Sequence, residues 1–408
     1  MISFSEAKRR VLEQIDPVGG SGEAIPLQQA LGRVLAEPIV APAHVPNHDN
    51  SAMDGYAVRT ADLSLTAETT LRVVADLPAG SYHAALLQPG EAVRIMTGAP
   101  IPNGCDCVVM QEKVRRQAEW VTIPPGQPVG ENIRKAGEDI RQGSTIFPAG
   151  RRLGAADLGL LTSLGQVTVP LYRRVRVALL STGSELMECG TPLAPGQLYD
   201  SNRATLKAAL TLLGVEILDL GRVRDDREAL EAALKQGGAQ ADALISSGGV
   251  SVGDYDLVKE MLAKDGKIDF WQVAMKPGKP QAYGRLGGAH FFGLPGNPVS
   301  SLTVFLLIVR PALLKLMGAA PEAERRFPAH FRGEWQKRHS RMEFLRGVLH
   351  FTEDAAHPGE VPWVELTGAQ GSGILTSLAK ANAFVILPEG PCQLTDGERV
   401  TVQWIDYV

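Results

Sequence analysis

"VRVALLS" at residues 175–181, "SNRATLKAALTLLG" at 201–214 and "VEILDL" at 215–220 read as strand, helix and strand. The first reads as a buried-strand run, with four consecutive apolar residues at 177–180, the pattern of a strand buried on both faces. The second repeats its apolar residues at helical spacing. Ser201 is the candidate N-cap of that helix and Gly214 its stop. The alternation continues: "DDREALEAALKQ" (225–236) is a helix, "DALISS" (242–247) a strand and "DYDLVKEMLAK" (254–264) a helix. "IDFWQVA" and "QAYGRL" bracket "MKPGKP" (275–280), and "FFGL" runs through "PGNP" into the long apolar helix "VSSLTVFLLIVRPALLKLMG" (299–318). Strands alternating with helices predict a three-layer α/β domain with a largely parallel sheet over residues 175–320.

Working outward, Ser3 and Glu6 form a capping-box pattern ahead of a helix in which Val11, Leu12 and Ile15 repeat at helical spacing. "PLQQALGRVLA" (26–36) reads as a second helix, and "GAADLGLLTSLG" (154–165) returns to helix-like spacing. Between them lie short β-rich pieces separated by Gly and Pro, "LRVVADL", "AVRIMTG", "CDCVVMQEKV" and "EWVTI". The expected organisation is a helical domain from 1–46 and 141–174, an inserted β-rich domain at 47–140, the α/β domain, and a small barrel-like β-domain at 321–408. The fold class is α/β plus β, and multidomain.

The 408 residues carry a formal charge of −4, and Lys and Arg are spread without long runs, which argues against an electrostatic nucleic-acid footprint. Cysteines at 105, 107, 189 and 392 make no paired CxxC and no disulfide framework. The N-terminus lacks the uninterrupted apolar stretch of a signal peptide, and no membrane span is expected, so the chain reads as cytoplasmic. No G-x-x-x-x-G-K-[ST], no G-x-G-x-x-G opening a helix and no H-E-x-x-H occurs. His44 and His48 stand four apart, but Pro46 between them disfavours the helix that would align them on a metal.

In an open α/β sheet, ligands bind beyond the carboxyl ends of the strands. Four loops fall there: "STGSE" (181–185), "SSGGVSVGDYD" (246–256), "KPGKP" (276–280) and "GLPGNPVSS" (293–301). Gly248, Gly249 and Gly253 let backbone amides approach an oxyanion. Glu185, Asp254 and Asp256 suggest Mg²⁺ shared with phosphate oxygens, and Lys276 and Lys279 could neutralise the remaining charge. Each has a plainer reading: Asp225 with Glu228, and Asp254 or Asp256, equally suit helix caps, and the lysines suit solvated surface. A further polar run, "DNSAMDGYAVR" (49–59), carries Asp49 and Asp54 behind the proline-rich "APAHVPNH". It suits a catalytic loop or a plain turn.

Eight stretches then match a known family: "DNSAMDGYAVR", "VRIMTGAPIPNGCDCVVM", "GENIRKAGEDI", "STGSEL", "YDSNRATL", "ISSGGVSVGDYD", "MKPGKP" and "GLPGNPVSS". They are in order and span 49 to 301. The chain resembles the molybdopterin molybdenumtransferases, the MoeA family, to which the E domain of gephyrin also belongs. The resemblance implies that adenylylated molybdopterin and molybdate are converted, with Mg²⁺, to molybdenum cofactor and AMP. It implies a homodimer whose segmented helical domain dimerises, a cleft shared between subunits, and a molybdopterin adenylyltransferase as substrate donor. Asp54 of one subunit would face Glu185, Asp225 and Asp256 of the other, with Asp54, Glu185 and Asp256 as metal ligands. Thr97, Arg134 and Asp139 would line the same cleft; Gly248, Gly249 and Ser251, with Pro295 and Pro298, would cradle the pterin nucleotide's phosphates, Ser247 would bind the same nucleotide, and Lys276 and Lys279 would stabilise the leaving AMP. Gln272 departs from the pattern, since family members often have a basic residue there. Two other readings are adenylyl transfer to molybdopterin, disfavoured by the flanking β-domains, and a gephyrin-like dimeric scaffold without catalysis, disfavoured by the retained carboxylates.

Overall fold

The computed structural model describes residues 1–20, 22–224, 226–248, 266–352, 356, 358–359 and 362–405. They form two compact units. One comprises Met1–Glu37, Ala149–Leu158 and Thr168–Val408, the other Pro38–Pro148 and Gly159–Val167.

The first unit is organised by the strand Arg176–Thr182, in which Val177, Ala178, Leu179 and Leu180 are all shut off from water. Successive side chains of a strand point to opposite faces, so both faces of the sheet need cover. Val177 and Leu179 pack with Leu206, Leu210 and Leu213 of the helix Ser201–Leu213 and with Phe305 and Leu307 of the long apolar helix. Ala178 and Leu180 pack with Leu230 and Leu234 of the helix Arg227–Gln240. The sheet has six strands, ordered Glu216–Val223, Arg176–Thr182, Ala243–Ser247, Ala289–Leu294, Pro280–Leu286 and Gly266–Gln272. The first four run parallel and the last two are added antiparallel. Helices on both faces of a mainly parallel sheet are the three-layer arrangement expected from the strand–helix–strand reading.

Several local expectations shift. The helix Ser201–Leu213 is capped by Asp200, which accepts from the Arg203 N–H at 3.1 Å, and not by Ser201. The carboxylate one residue earlier already has non-helical backbone and is anchored by Ser181 Oγ, so it takes the cap. Gly214 ends that helix in the left-handed region at φ 86°. Asp226 caps the helix Arg227–Gln240 by accepting from Ala229 N–H at 2.8 Å; the alternative cap, Asp225, lies outside the described residues, as does the expected helix at 254–264. The residues Pro298–Leu316 form one apolar helix, 83% of it buried inside the molecule, so its composition reflects a core position. It widens to a π-turn at Phe305–Val309, just before Pro311, whose ring supplies no N–H to the preceding turn.

The expected helix over 26–36 does not form. Only Leu27–Gln29 makes a single 3₁₀ turn, Gly32 takes φ 73°, and Val34 and Leu35 bridge to Arg152 and Leu171 as extended chain. The apolar spacing that suggested a helix instead buries Leu27, Ala30, Val34 and Leu35 from a turn and a short extended segment. The part of the chain expected to be helical therefore contains the helices Phe4–Glu13 and Ala155–Ser163 together with the strand pair Glu23–Pro26 and Thr168–Leu171. Ser3 caps the first helix as anticipated, accepting from Glu6 N–H at 3.2 Å.

The C-terminal part of the first unit is a closed five-stranded barrel. Met342–His350 pairs with both Trp363–Leu366 and Ala383–Leu387, and Arg326–Arg332 and Arg399–Trp404 complete the ring. Phe331, Leu345, Val364, Val385 and Val402 fill its core. The second unit carries a mixed six-stranded sheet, ordered Cys107–Met110, Gly55–Val58, Glu91–Ile95, Thr69–Leu77, Trp120–Ile123 and Arg115–Gln117.

Helix and sheet approach closely at Gly237, where an added Cβ would stand 1.8 Å from Leu244 Cδ1 and 3.2 Å from Ala178 Cβ. Gly237→Ala is therefore expected to lower stability by about 1–3 kcal/mol through overpacking. Urea unfolding checks this: the midpoint should fall, and an unchanged midpoint would mean that the helix can move off the sheet without loss.

Candidate functional site

In the second unit, "DNSAMDGYAVR" folds so that its two aspartates have different surroundings. Asp49 holds the 135–136 turn: Lys135 Nζ donates to Oδ2 and the Ala136 N–H to Oδ1, both at 2.8 Å. The Lys135 bond is the first reason its carboxyl titrates below the usual range, and the backbone bond adds to it. Asp54 is held through one oxygen only. Both the N–H and the hydroxyl of Thr97 donate to Oδ1 at 2.7 Å, and these bonds, the backbone one foremost, lower its pKa.

Asp54 and Thr97 thus stand together. The next residue, Gly55, lies so close to the strand Cys107–Met110 that an added Cβ would sit 2.1 Å from Val109 O. This packing sets where Asp54 leaves the sheet. Arg134, exposed, pairs in register with Asn50, and Asp139, also exposed, donates its N–H to Val45 O at 3.0 Å. Asn50 is buried, and its Oδ1 has no partner among the described residues.

In the first unit all four loops reach the carboxyl edge of the parallel strands: three leave Thr182, Ser247 and Leu294, the second of them described only to Gly248, and 276–280 links Gln272 to Pro280 at the same end. Glu185 is exposed, and its carboxylate folds back over Gly183, where an added Cβ would meet Oε2 at 2.8 Å. Ser247 ends the strand Ala243–Ser247 and is buried. Gly248 follows at φ 85°, with its N–H bonded to Leu294 O at 3.1 Å and its Cα so close to Thr182 that a Cβ would meet Thr182 O at 2.6 Å. Pro295 is buried, and Pro298 occupies the first turn of the long helix, behind Asn297.

Lys276 pairs in register with Glu343 of the barrel, and its Nζ lies 2.8 Å from Glu343 Oε1. Glu343 is 1% exposed, so the lysine charge is balanced from below by a buried carboxylate. Lys279 is exposed and makes no ion pair among the described residues. Asp225, Gly249, Ser251, Asp254 and Asp256 lie outside them. Among the described residues no group of three His, Cys, Asp or Glu side chains is arranged around a metal position.

Sequence reasoning assigned no role to Asn202 or Glu343. Asn202 lies inside the quoted "YDSNRATL", and its amide nitrogen donates to Ser247 Oγ at 2.8 Å and Gly296 O at 2.7 Å, tying together two of the four loops. Glu343 gave no local signal, because its partner lies 67 positions away and meets it only through strand pairing.

The whole chain has known relatives. Residues 2–165 match the family region described as "MoeA N-terminal region (domain I and II)", 178–315 the "Probable molybdopterin binding domain" and 328–405 the "MoeA C-terminal region (domain IV)". The sequence is 41% identical over 413 aligned positions to the molybdopterin molybdenumtransferase of Haemophilus influenzae, covering 100% of both chains. It is 40% identical to that of Nostoc, covering 93% of this chain and 88% of the relative. A crystal structure of the molybdopterin biosynthesis MoeA protein from Pyrococcus horikoshii superposes with a TM-score of 0.83 at 28% identity, covering 99% of this chain and 100% of that one. A second, at 32% identity, gives 0.81 and covers 100% and 99%. The full-length identity and the three consecutive family regions mean that this chain belongs to the molybdopterin molybdenumtransferase family.

Proposed function

We propose that the protein inserts molybdenum from molybdate into adenylylated molybdopterin and releases AMP, the last step in making the molybdenum cofactor. The observation that carries this reading is the full-length likeness to enzymes of that name, 41% identical with no part of either chain left over. Mg²⁺ fits the residue chemistry, since Asp54 and Glu185 offer the hard carboxylate oxygens it selects, and Asp54 Oδ2 is left unbonded by Thr97. When bound, the ion would polarise phosphate oxygens and spread the charge of the leaving AMP. Thr97 fixes the Asp54 carboxylate and keeps it ionised, so its free oxygen presents negative charge without rotating. Lys276 and Lys279 supply positive charge where the phosphoanhydride breaks, and Glu343 limits where the Lys276 ammonium can swing.

The same reading makes the enzyme a cytoplasmic homodimer supplied by a molybdopterin adenylyltransferase. Asp54 of one subunit would act with Glu185 and Asp256 of its partner copy, and Thr97, Arg134 and Asp139 would line that shared cleft. Ser247, Gly248, Gly249, Ser251, Pro295 and Pro298 would form the wall for the pterin nucleotide. The direct test is incubation of purified protein with adenylylated molybdopterin, molybdate and Mg²⁺, followed by chromatography for AMP; absence of molybdate-dependent AMP refutes the reading.

Asp54→Asn is expected to abolish molybdate-dependent AMP release while the protein stays folded, as circular dichroism would verify. Thr97→Val removes the hydroxyl donor, so the Asp54 carboxyl should titrate nearer the ordinary range. The acid limb of the activity profile should then move to higher pH, and a profile identical to that of the unmodified protein would separate Asp54 from the chemistry. Mixing inactive Asp54→Asn and Asp256→Asn proteins under subunit exchange tests the shared cleft. Random exchange makes about half the dimers mixed, each with one intact cleft, so roughly a quarter of the sites should recover. No recovery, with exchange verified by mass spectrometry, would confine each site to one subunit.

A further inference from the structure

The Ser247–Gly248 turn does not offer its Gly248 backbone N–H to an anion, contrary to the expectation from its glycines. Its Gly248 N–H is bonded to Leu294 O, and Ser247 Oγ accepts from the Asn202 amide. That amide has a fixed orientation: its other bond runs to Gly296 O, a carbonyl that can only accept, so the nitrogen must face Gly296 and the oxygen must face away. Asn202 Oδ1 is buried and has no partner among the described residues. Across the turn, Thr182 is 5% exposed and its Oγ1 also has no partner among the described residues, although it lies only 3.2 Å from where a Gly248 side chain would begin. Two unpaired oxygens therefore flank one turn at the carboxyl edge of the sheet. A buried polar atom without a partner costs about 1–3 kcal/mol, so such a pair is an expensive arrangement unless something else bonds to it.

We propose that Thr182 and Asn202 form a subsite for hydrogen-bond donors of the substrate, accepting its N–H or O–H groups on the two buried oxygens, and that its phosphates are held elsewhere. An amide oxygen repels phosphate oxygens, whereas a pterin ring carries N–H groups and a ribose carries hydroxyls. The chemistry is the same for both sources. This inference rests on the reading that the sheet edge binds a pterin nucleotide.

Thr182→Val tests it, because valine keeps the shape of threonine and removes only the hydroxyl; Thr182→Ser restores an oxygen, and Asn202→Ala removes the second acceptor. Binding of molybdopterin, handled without oxygen, and of AMP is measured separately by calorimetry, alongside thermal unfolding without ligand. Thr182→Val should weaken binding of one probe about 5–10-fold, the loss of one neutral hydrogen bond, while its melting temperature stays equal to or above that of the unmodified protein. Thr182→Ser should bind as the unmodified protein does. Loss confined to molybdopterin assigns the donors to the pterin, and loss confined to AMP assigns them to the nucleoside. Unchanged affinity of Thr182→Val for both probes overturns the inference and points to a buried water as the partner, leaving the functional reading intact. A lower melting temperature with unchanged affinity gives Thr182 a structural role and also overturns it. If the unmodified protein binds neither probe, the functional reading fails and takes this inference with it.

Discussion

The burial of four consecutive side chains, Val177 to Leu180, is the constraint from which the first unit follows. A strand dry on both faces has to lie inside a sheet with helices above and below, and its parallel neighbours then need crossover connections. Those connections place the loops after Thr182, Ser247 and Leu294 side by side at one edge. The arrangement of that edge depends on apolar residues buried inside the sheet. The glycine pair at 237 and 238 belongs to the same constraint, since it lets a covering helix lie close against the sheet.

How much of this was legible in the sequence depended on whether the signal was local. The strand Arg176–Thr182, the helix stop at Gly214 and the cap at Ser3 are each written in a few adjacent residues, and each is where the pattern put it. The segment 26–36 misled because burial every three or four residues can also arise from a turn followed by an extended strand that bridges to distant partners. Val34 and Leu35 are held by Arg152 and Leu171, and nothing within eleven residues announces that. The same holds for the candidate site. The motifs named Asp54, Thr97 and Lys276, but they did not say that Thr97, in the turn after Glu91–Ile95, holds the Asp54 carboxylate, nor that Glu343 of a barrel strand pairs with Lys276.

The two aspartates of "DNSAMDGYAVR" show why residue type alone left a choice open. Asp49 has both carboxylate oxygens engaged, one by a lysine and one by a backbone N–H, which is the signature of a turn brace. Asp54 has one oxygen doubly engaged and one free, which fixes its direction while leaving capacity for a ligand. Composition cannot separate these cases, because both residues sit among the same Asn, Ser and Gly neighbours. The count of donors around each oxygen separates them at once.

The five-stranded barrel near the C-terminus has a consequence of a different kind. The ring closes on itself, yet the start of Met342–His350 lies beyond its pairing with Trp363–Leu366 and is joined there by the parallel strand Met275–Lys276. The barrel therefore sets the position of Lys276 through backbone pairing as well as through the Glu343 carboxylate, and a shift in the start of that barrel strand would carry the lysine with it.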